Sequence, residues 1–286
     1  SFKENFGFGY KVMTSSVISA VFTNAYNLVI GKIYNAEALG FFYQARRLNK
    51  FAHSMITKTF REVSLPVLSS LQDNDDKLVK VYLVFLRTIS FLAFPLMMML
   101  FVTAKPLIEV IFTSKWSASI PYFQLICIEG LLMPIIALSS NIPLVKGRAD
   151  LTLRLEVIYK VILVASIAIT VYFGIFWMVV GLVVQVVIQA LINFAVVSKL
   201  IKVGFAEQFF SFIKIALIST FVAFTVFFIQ YINFLQIWLL IVQVLSYIVL
   251  YIGINLLFNS EELKEILQFI QINIISKLKR KSKVNG

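Results

Sequence analysis

Acidic residues are scarce in this chain. Fourteen Asp and Glu stand against 26 Lys and Arg over 286 residues, for a formal charge of +12. The one cysteine, Cys127, lies in an apolar stretch, so an intrachain disulfide is excluded and the redox compartment is not readable. The one histidine, His53, has no Cys or carboxylate cluster around it in sequence, so no metal site is expected, and no cofactor. Charged residues make up only 14% of the chain. What fills the space is apolar: 60% of residues are hydrophobic and the mean hydropathy is +0.90, far above an ordinary soluble domain.

A helix needs about 20 mostly apolar residues to cross a hydrocarbon core about 30 Å thick. Eight stretches approach that length, over residues 10–30, 39–63, 81–102, 121–143, 157–173, 178–200, 209–231 and 235–257. The expectation is an all-α, polytopic transmembrane helix bundle of about eight spans. Residues 1–5 lack the charged, apolar and small-residue order of a secretory signal, and no initiator methionine precedes them. The sequence therefore reads as part of a longer chain.

Lysine and arginine fall mainly in alternate gaps. With the N-terminus placed inside, 19 of the 26 lie on the inner side, six lie outside, and Arg87 sits within a span. The positive-inside rule then puts both ends of the segment in the cytoplasm. The basic charge is accounted for by topology, and no nucleic-acid partner is expected. Residues 259–286 begin with a cap and two acids, Asn259, Ser260, Glu261 and Glu262. They continue with Leu263, Ile266, Leu267, Ile270, Ile274 and Leu278 at helical spacing, and end in a basic cluster from Lys277 to Lys283. That is the pattern of an interfacial helix meeting anionic lipid headgroups.

The second span is the odd one. Arg46, Lys50, His53, Thr57 and Arg61 follow at steps of four, three, four and four, which keeps them on one helical face. A central Lys or Arg costs roughly 2.5–3.5 kcal/mol on insertion scales. The face should therefore meet a wet cavity, and Glu62 and Glu129 are the main acids within spans to answer it. That is the setting for an anionic substrate, with Arg46, Lys50, His53 and Arg61 as candidate ligands and Arg87 either joining them or snorkelling to the inner surface. Arg47, one step off the stripe, should matter less. Ser16, Thr23 and Asn27 with Asn24 mark the first span, and Gln185, Gln189 and Asn193 mark the sixth. Both sets suit either interhelical hydrogen bonding or cavity lining. Pro95 and Pro134 are expected to kink their helices.

Four ordered stretches carry a resemblance. They are residues 24–32 (NAYNLVIGK) with 39–48 (LGFFYQARRL), then 66–73 (PVLSSLQD) leading to Tyr82 and Arg87, then 106–112 (PLIEVIF) with Lys115 and Trp116, and last 141–150 (NIPLVKGRAD). Together they resemble the polysaccharide flippases of the Wzx group, in the multidrug/oligosaccharidyl-lipid/polysaccharide exporter superfamily. The resemblance implies a fourteen-helix exporter with two six-helix lobes and a terminal helix pair. This chain would supply the second lobe over 1–203, the pair over 204–258, and a cytoplasmic tail over 259–286. It also implies a substrate, an oligosaccharide on polyprenyl pyrophosphate, moved across the plasma membrane by rocking of one lobe against the other, with no bond made or broken. The partners implied are that glycan, the lipid bilayer and the N-terminal lobe. Two positions depart from the family pattern. Tyr26 stands where an acid is frequent, and Thr113-Ser114 replaces a glycine-containing turn. The rivals are a polysaccharide polymerase or ligase, which usually needs a large outer loop with catalytic groups, and a drug exporter, which would favour an acidic cavity.

Overall fold

A computed structural model describes residues 22, 24–232 and 235–258, leaving aside the side chains of Met55, Thr59 and Arg61. The amphipathic tail and most of the first span, with Ser16 and Thr23, lie outside the described residues. Ten α-helices are described: α1 Ala25–Ile33, α2 Ala36–Ser69, α3 Asp75–Val102, α4 Ala104–Phe112, α5 Ile120–Ser139, α6 Asn141–Val145, α7 Ala149–Thr170, α8 Ile175–Ile201, α9 Phe205–Phe227 and α10 Gln236–Leu257. Among the described residues there is no strand. The fold is a polytopic helical bundle.

Among the described residues, six segments are long and apolar enough to cross a membrane: 75–102, 114–145, 149–173, 175–201, 205–231 and 236–257. These are the last six of the eight expected spans. The second expected span is there as α2, a 34-residue helix, but it does not qualify by composition. Arg46, Arg47, Lys50, Lys58, Arg61 and Glu62 dilute its apolar run. A helix of that length measures about 50 Å, well beyond the hydrocarbon core.

Local chemistry sets the helix ends. The Asn35 side chain accepts a hydrogen bond from the Ala38 amide at 2.7 Å, and the Asn74 side chain accepts one from Lys77 at 3.0 Å. These are N-caps that satisfy otherwise orphaned donors. Asp75 and Asp76 follow in the first turn of α3, where the helix dipole favours acids. Pro95 sits inside α3 and removes the bond to the carbonyl of Phe91. That carbonyl accepts from the Tyr251 hydroxyl of α10 at 3.3 Å. The freed backbone group thus finds its partner in a neighbouring helix, as hydrocarbon demands.

The described interior holds two large apolar cores stacked along the bundle and a small third cluster of Ile136, Val186 and Ala190. One gathers Ile30, Phe42, Ile108, Phe123, Met178 and Leu182, from α1, the start of α2, α4, and the starts of α5 and α8. The other gathers Leu78, Tyr82, Leu86, Leu138, Phe194 and Val222, from α3, the ends of α5 and α8, and α9. Since α2, α5 and α8 each run from the first core to the second, their middles form a waist between the two. Against lipid, burial gives no hydrophobic gain, so close packing and polar contacts decide how the helices associate.

A polar junction serves that purpose in the second core. The Tyr82 hydroxyl lies 2.9 Å from Ser139 Oγ and donates to Gln208 Oε1 at 3.0 Å. Gln208 Nε2 donates to Ser198 Oγ at 2.8 Å and to the Phe194 carbonyl at 3.1 Å. Helices α3, α5, α8 and α9 meet there, with Tyr82 and Gln208 fully buried.

Candidate functional site: a cationic cavity at the waist

Beside the small cluster of Ile136, Val186 and Ala190, the waist carries a set of polar residues. On α2 they are Arg46, Asn49, Lys50 and His53. On α5 the residue is Glu129, and on α8 they are Gln185 and Gln189. Helices α2 and α5 approach closely at Gly130. A Cβ there would stand 2.5 Å from Met97 Sδ and 2.9 Å from Asn49 Nδ2. Asn49 is 2% exposed and leans on the Met97 sulfur at 3.5 Å. The missing Cβ of Gly130 therefore lets α2 settle beside Glu129.

A cavity of about 540 Å³ opens along this seam. It is lined by Asn24 and Asn27 from α1 and its N-cap, by Arg46, Arg47, Lys50 and His53 from α2, and by Glu129 from α5. A second cavity of about 200 Å³ adjoins it. Its polar lining includes Arg46, Glu129, Glu156, Lys160, Gln185 and Gln189. Arg46 and Glu129 face both and form part of the wall between them. The Arg46 guanidinium lies 6.0 Å from the Tyr26 ring and 5.8 Å from Phe42, near the limit for a cation–π attraction. Among the described residues, Arg46 Nη1, His53 Nδ1 and Thr57 Oγ1 are buried without a hydrogen-bond partner. Buried polar atoms are normally satisfied, so three orphans on one face point to a place built for something polar.

Arg46, Lys50 and His53, expected together from their spacing, do line one cavity. Arg47 lines it too, although its helical phase places it about 100° off the stripe. The cavity is wide enough to reach both sides of that face. Arg61 lies near the end of α2, with its side chain outside the described set. Arg87 is half-buried on α3 and is not among the residues lining either cavity. The Gln stripe of α8 divides. Gln185 and Gln189 line the smaller cavity, whereas Asn193 is a packing residue, donating to the Tyr159 hydroxyl at 2.8 Å and accepting from Ser140 at 3.2 Å. Glu156 and Lys160, 3.7 Å apart on one face of α7, carried no signal in sequence beyond ordinary surface charge. Among the described residues, no group of three His, Cys, Asp or Glu could hold a metal ion.

Residues 1–121 match the family described as Polysaccharide biosynthesis protein, a stretch that holds α1 to α4 and the cationic face of α2. The lipopolysaccharide biosynthesis protein WzxC of Escherichia coli (strain K12) is 25% identical over 165 residues, covering 58% of this chain and 34% of that protein. The teichuronic acid biosynthesis protein TuaB of Bacillus subtilis (strain 168) is 26% identical over 149 residues, covering 52% of this chain and 31% of that protein. An uncharacterized membrane protein in the cps region of Klebsiella pneumoniae is 22% identical over 175 residues, covering 61% and 35%. The chain thus spans about a third of the length of these relatives. No solved structure matches. The family match over residues 1–121, these relatives and the apolar helices agree with the motif resemblance: the chain is a multi-pass membrane protein whose sequence is similar to polysaccharide biosynthesis proteins.

Proposed function

We propose that this chain is the second lobe and terminal helix pair of a flippase for polyprenyl-pyrophosphate-linked oligosaccharides. The whole protein would carry the polar head across the plasma membrane by alternating access, with both ends of this segment cytoplasmic. One observation supports the reading above all. Three cations and a histidine, Arg46, Arg47, Lys50 and His53, face a cavity whose lining includes one acid, Glu129. Cations held away from water are costly unless paired, and a pyrophosphate or acidic sugar supplies the missing charge. The polyprenyl tail stays in lipid while the head follows the wet route. A lobe taken alone encloses no route between lobes, so this segment by itself should not transport.

The test is export in cells making the full-length protein. Lys50→Ala should abolish glycan export at normal membrane levels, and Lys50→Glu should be worse, because charges interact more strongly in a low-dielectric route than in water. Normal export by Lys50→Gln and Arg46→Gln would end the anion-pathway reading.

A further inference from the structure

Glu129 is the anomaly of the waist. It is 6% exposed and sits on the wall shared by both cavities. Among the described residues it makes no ion pair and accepts no hydrogen bond; the ion pairs lie elsewhere, at Lys146–Asp75, Arg148–Asp150 and Lys160–Glu156. Arg46 is the one other charged residue that lines both cavities with it. Arg46 in turn keeps one guanidinium nitrogen buried with no hydrogen-bond partner among the described residues. The two are close enough to feel each other's charge and are not locked together.

We propose that Glu129 is the built-in competitor for the anion site, so that an anionic substrate binds at Arg46 together with one proton taken up by the Glu129 carboxylate. This rests on the cationic-cavity reading above and adds a second ligand to it. The reasoning is electrostatic. An ionised carboxylate and a substrate anion compete for the same guanidinium. In a poorly screened interior, placing both beside one cation leaves the site with excess negative charge. A proton on the carboxylate converts it from a competing anion into a neutral hydrogen-bond donor. Each ligand then favours the other, and by linkage the coupling is reciprocal. The balance is simple: one proton moves from solvent to a Glu129 oxygen as the anion arrives, and returns when it leaves.

A metal cation would not serve in the proton's place. Hard cations ask for several oxygen ligands, and here one carboxylate stands beside a guanidinium, with no clustered acids among the described residues. The surroundings identify the titrating group by exclusion. Facing the two cavities, α2 brings Arg46, Arg47, Lys50 and His53, and α1 brings Tyr26. Helix α7 brings Glu156, Tyr159 and Lys160, and α8 brings the uncharged Gln185 and Gln189. Helix α3, which also packs against α5, adds no charged residue to either lining. Glu156 already has Lys160 at 3.7 Å. His53 is the one other group that ordinarily titrates near neutrality, and it can be removed separately.

Calorimetric titration of the chain in lipid nanodiscs tests this, with sulfate as the probe because its charge is constant between pH 5 and 9. Running each titration in two buffers of different ionisation enthalpy counts the protons bound. The wild type is expected to take up as much as one proton per sulfate within that range, and its affinity to fall by up to about tenfold per pH unit, the slope of one linked proton. Glu129→Gln should bind sulfate at least as tightly as the wild type at its best, with no proton uptake and a flat profile. His53→Gln should keep the uptake even where its affinity drops. Arg46→Gln removes the contested cation and should lose the uptake while residual binding at Lys50 persists. Equal proton uptake in the wild type and Glu129→Gln, or its loss in His53→Gln, overturns the proposal while leaving the cationic site intact. Failure of sulfate to bind the wild type and Glu129→Gln at every pH overturns the cationic-site reading itself.

Discussion

Replacing Thr113 with glycine should stabilise the protein. Thr113 joins α4 to a short 3₁₀ turn over Ser114–Ser119, with φ 74° and ψ 167°. That region is open to glycine and strained for a β-branched residue, at about 1–3 kcal/mol. Gly174, between α7 and α8, has almost the same backbone, φ 100° and ψ 168°, and has no Cβ to strain. The Thr113 side chain is exposed, so its removal forfeits little packing. The backbone bonds survive the change: the Thr113 amide still donates to Glu109 at 3.1 Å, and its carbonyl still accepts from Trp116 at 3.2 Å. Against the relief stands the larger chain entropy of glycine in the unfolded state, roughly 0.5–1 kcal/mol. The net gain should lie between about 0 and 2.5 kcal/mol by those two figures, centred on about 1 kcal/mol, read as a rise of a few degrees in the midpoint of thermal unfolding in detergent. Thr113→Ala keeps the Cβ and should show little of the gain. Gly174→Ala introduces the same strain and should lower the midpoint. A Thr113→Gly protein no more stable than Thr113→Ala would refute the reasoning, because relief of backbone strain would then not be the operative effect.

Other outcomes follow from the same structure. A reporter fused after Gly286 should be cytoplasmic and one inserted at Gly174 external, as accessibility labelling would report; reversed labelling would overturn the cytoplasmic placement of both ends. Gly130→Val should weaken the α2–α5 seam by about 1–3 kcal/mol through overpacking against Met97 and Asn49, seen as a lowered unfolding midpoint together with weaker anion binding. Gln208→Leu should cost about 1–2 kcal/mol, the upper range for hydrogen bonds between membrane helices, and leave sulfate affinity at the waist unchanged.

Much of the fold was legible because membrane helices announce themselves by length. The last six spans fall where apolar runs place them, with ends corrected by caps at Asn74 and Gly174. The cationic face of α2 was legible from spacing, since a 3.6-residue period carries Arg46 to Lys50 and His53. What spacing along one helix cannot report is distance between helices. Arg47 was set aside on phase, yet the cavity is broad enough to include it. Asn193 shared a stripe with two cavity residues, and only its bonds to Tyr159 and Ser140 reveal that it packs. Glu129 was visible as a rare acid in a span, but its place beside Arg46 depends on Gly130, Asn49 and Met97 meeting across three helices. Thr113 was visible as a departure from a glycine turn; the positive φ that gives the departure its cost belongs to the backbone.

The junction at Gln208 bears on how the protein is assembled. Synthesis runs from the N-terminus, so Tyr82, Ser139 and Ser198 enter the bilayer before the helix that carries Gln208. Until α9 arrives, Ser198 lacks its amide donor and Tyr82 keeps only Ser139. Until α9 docks, Gln208 presents an unsatisfied amide to hydrocarbon, which penalises every resting place except the one that offers Tyr82, Ser198 and the Phe194 carbonyl together. Gln208 of α9 therefore completes its hydrogen bonds only where three earlier helices have already met.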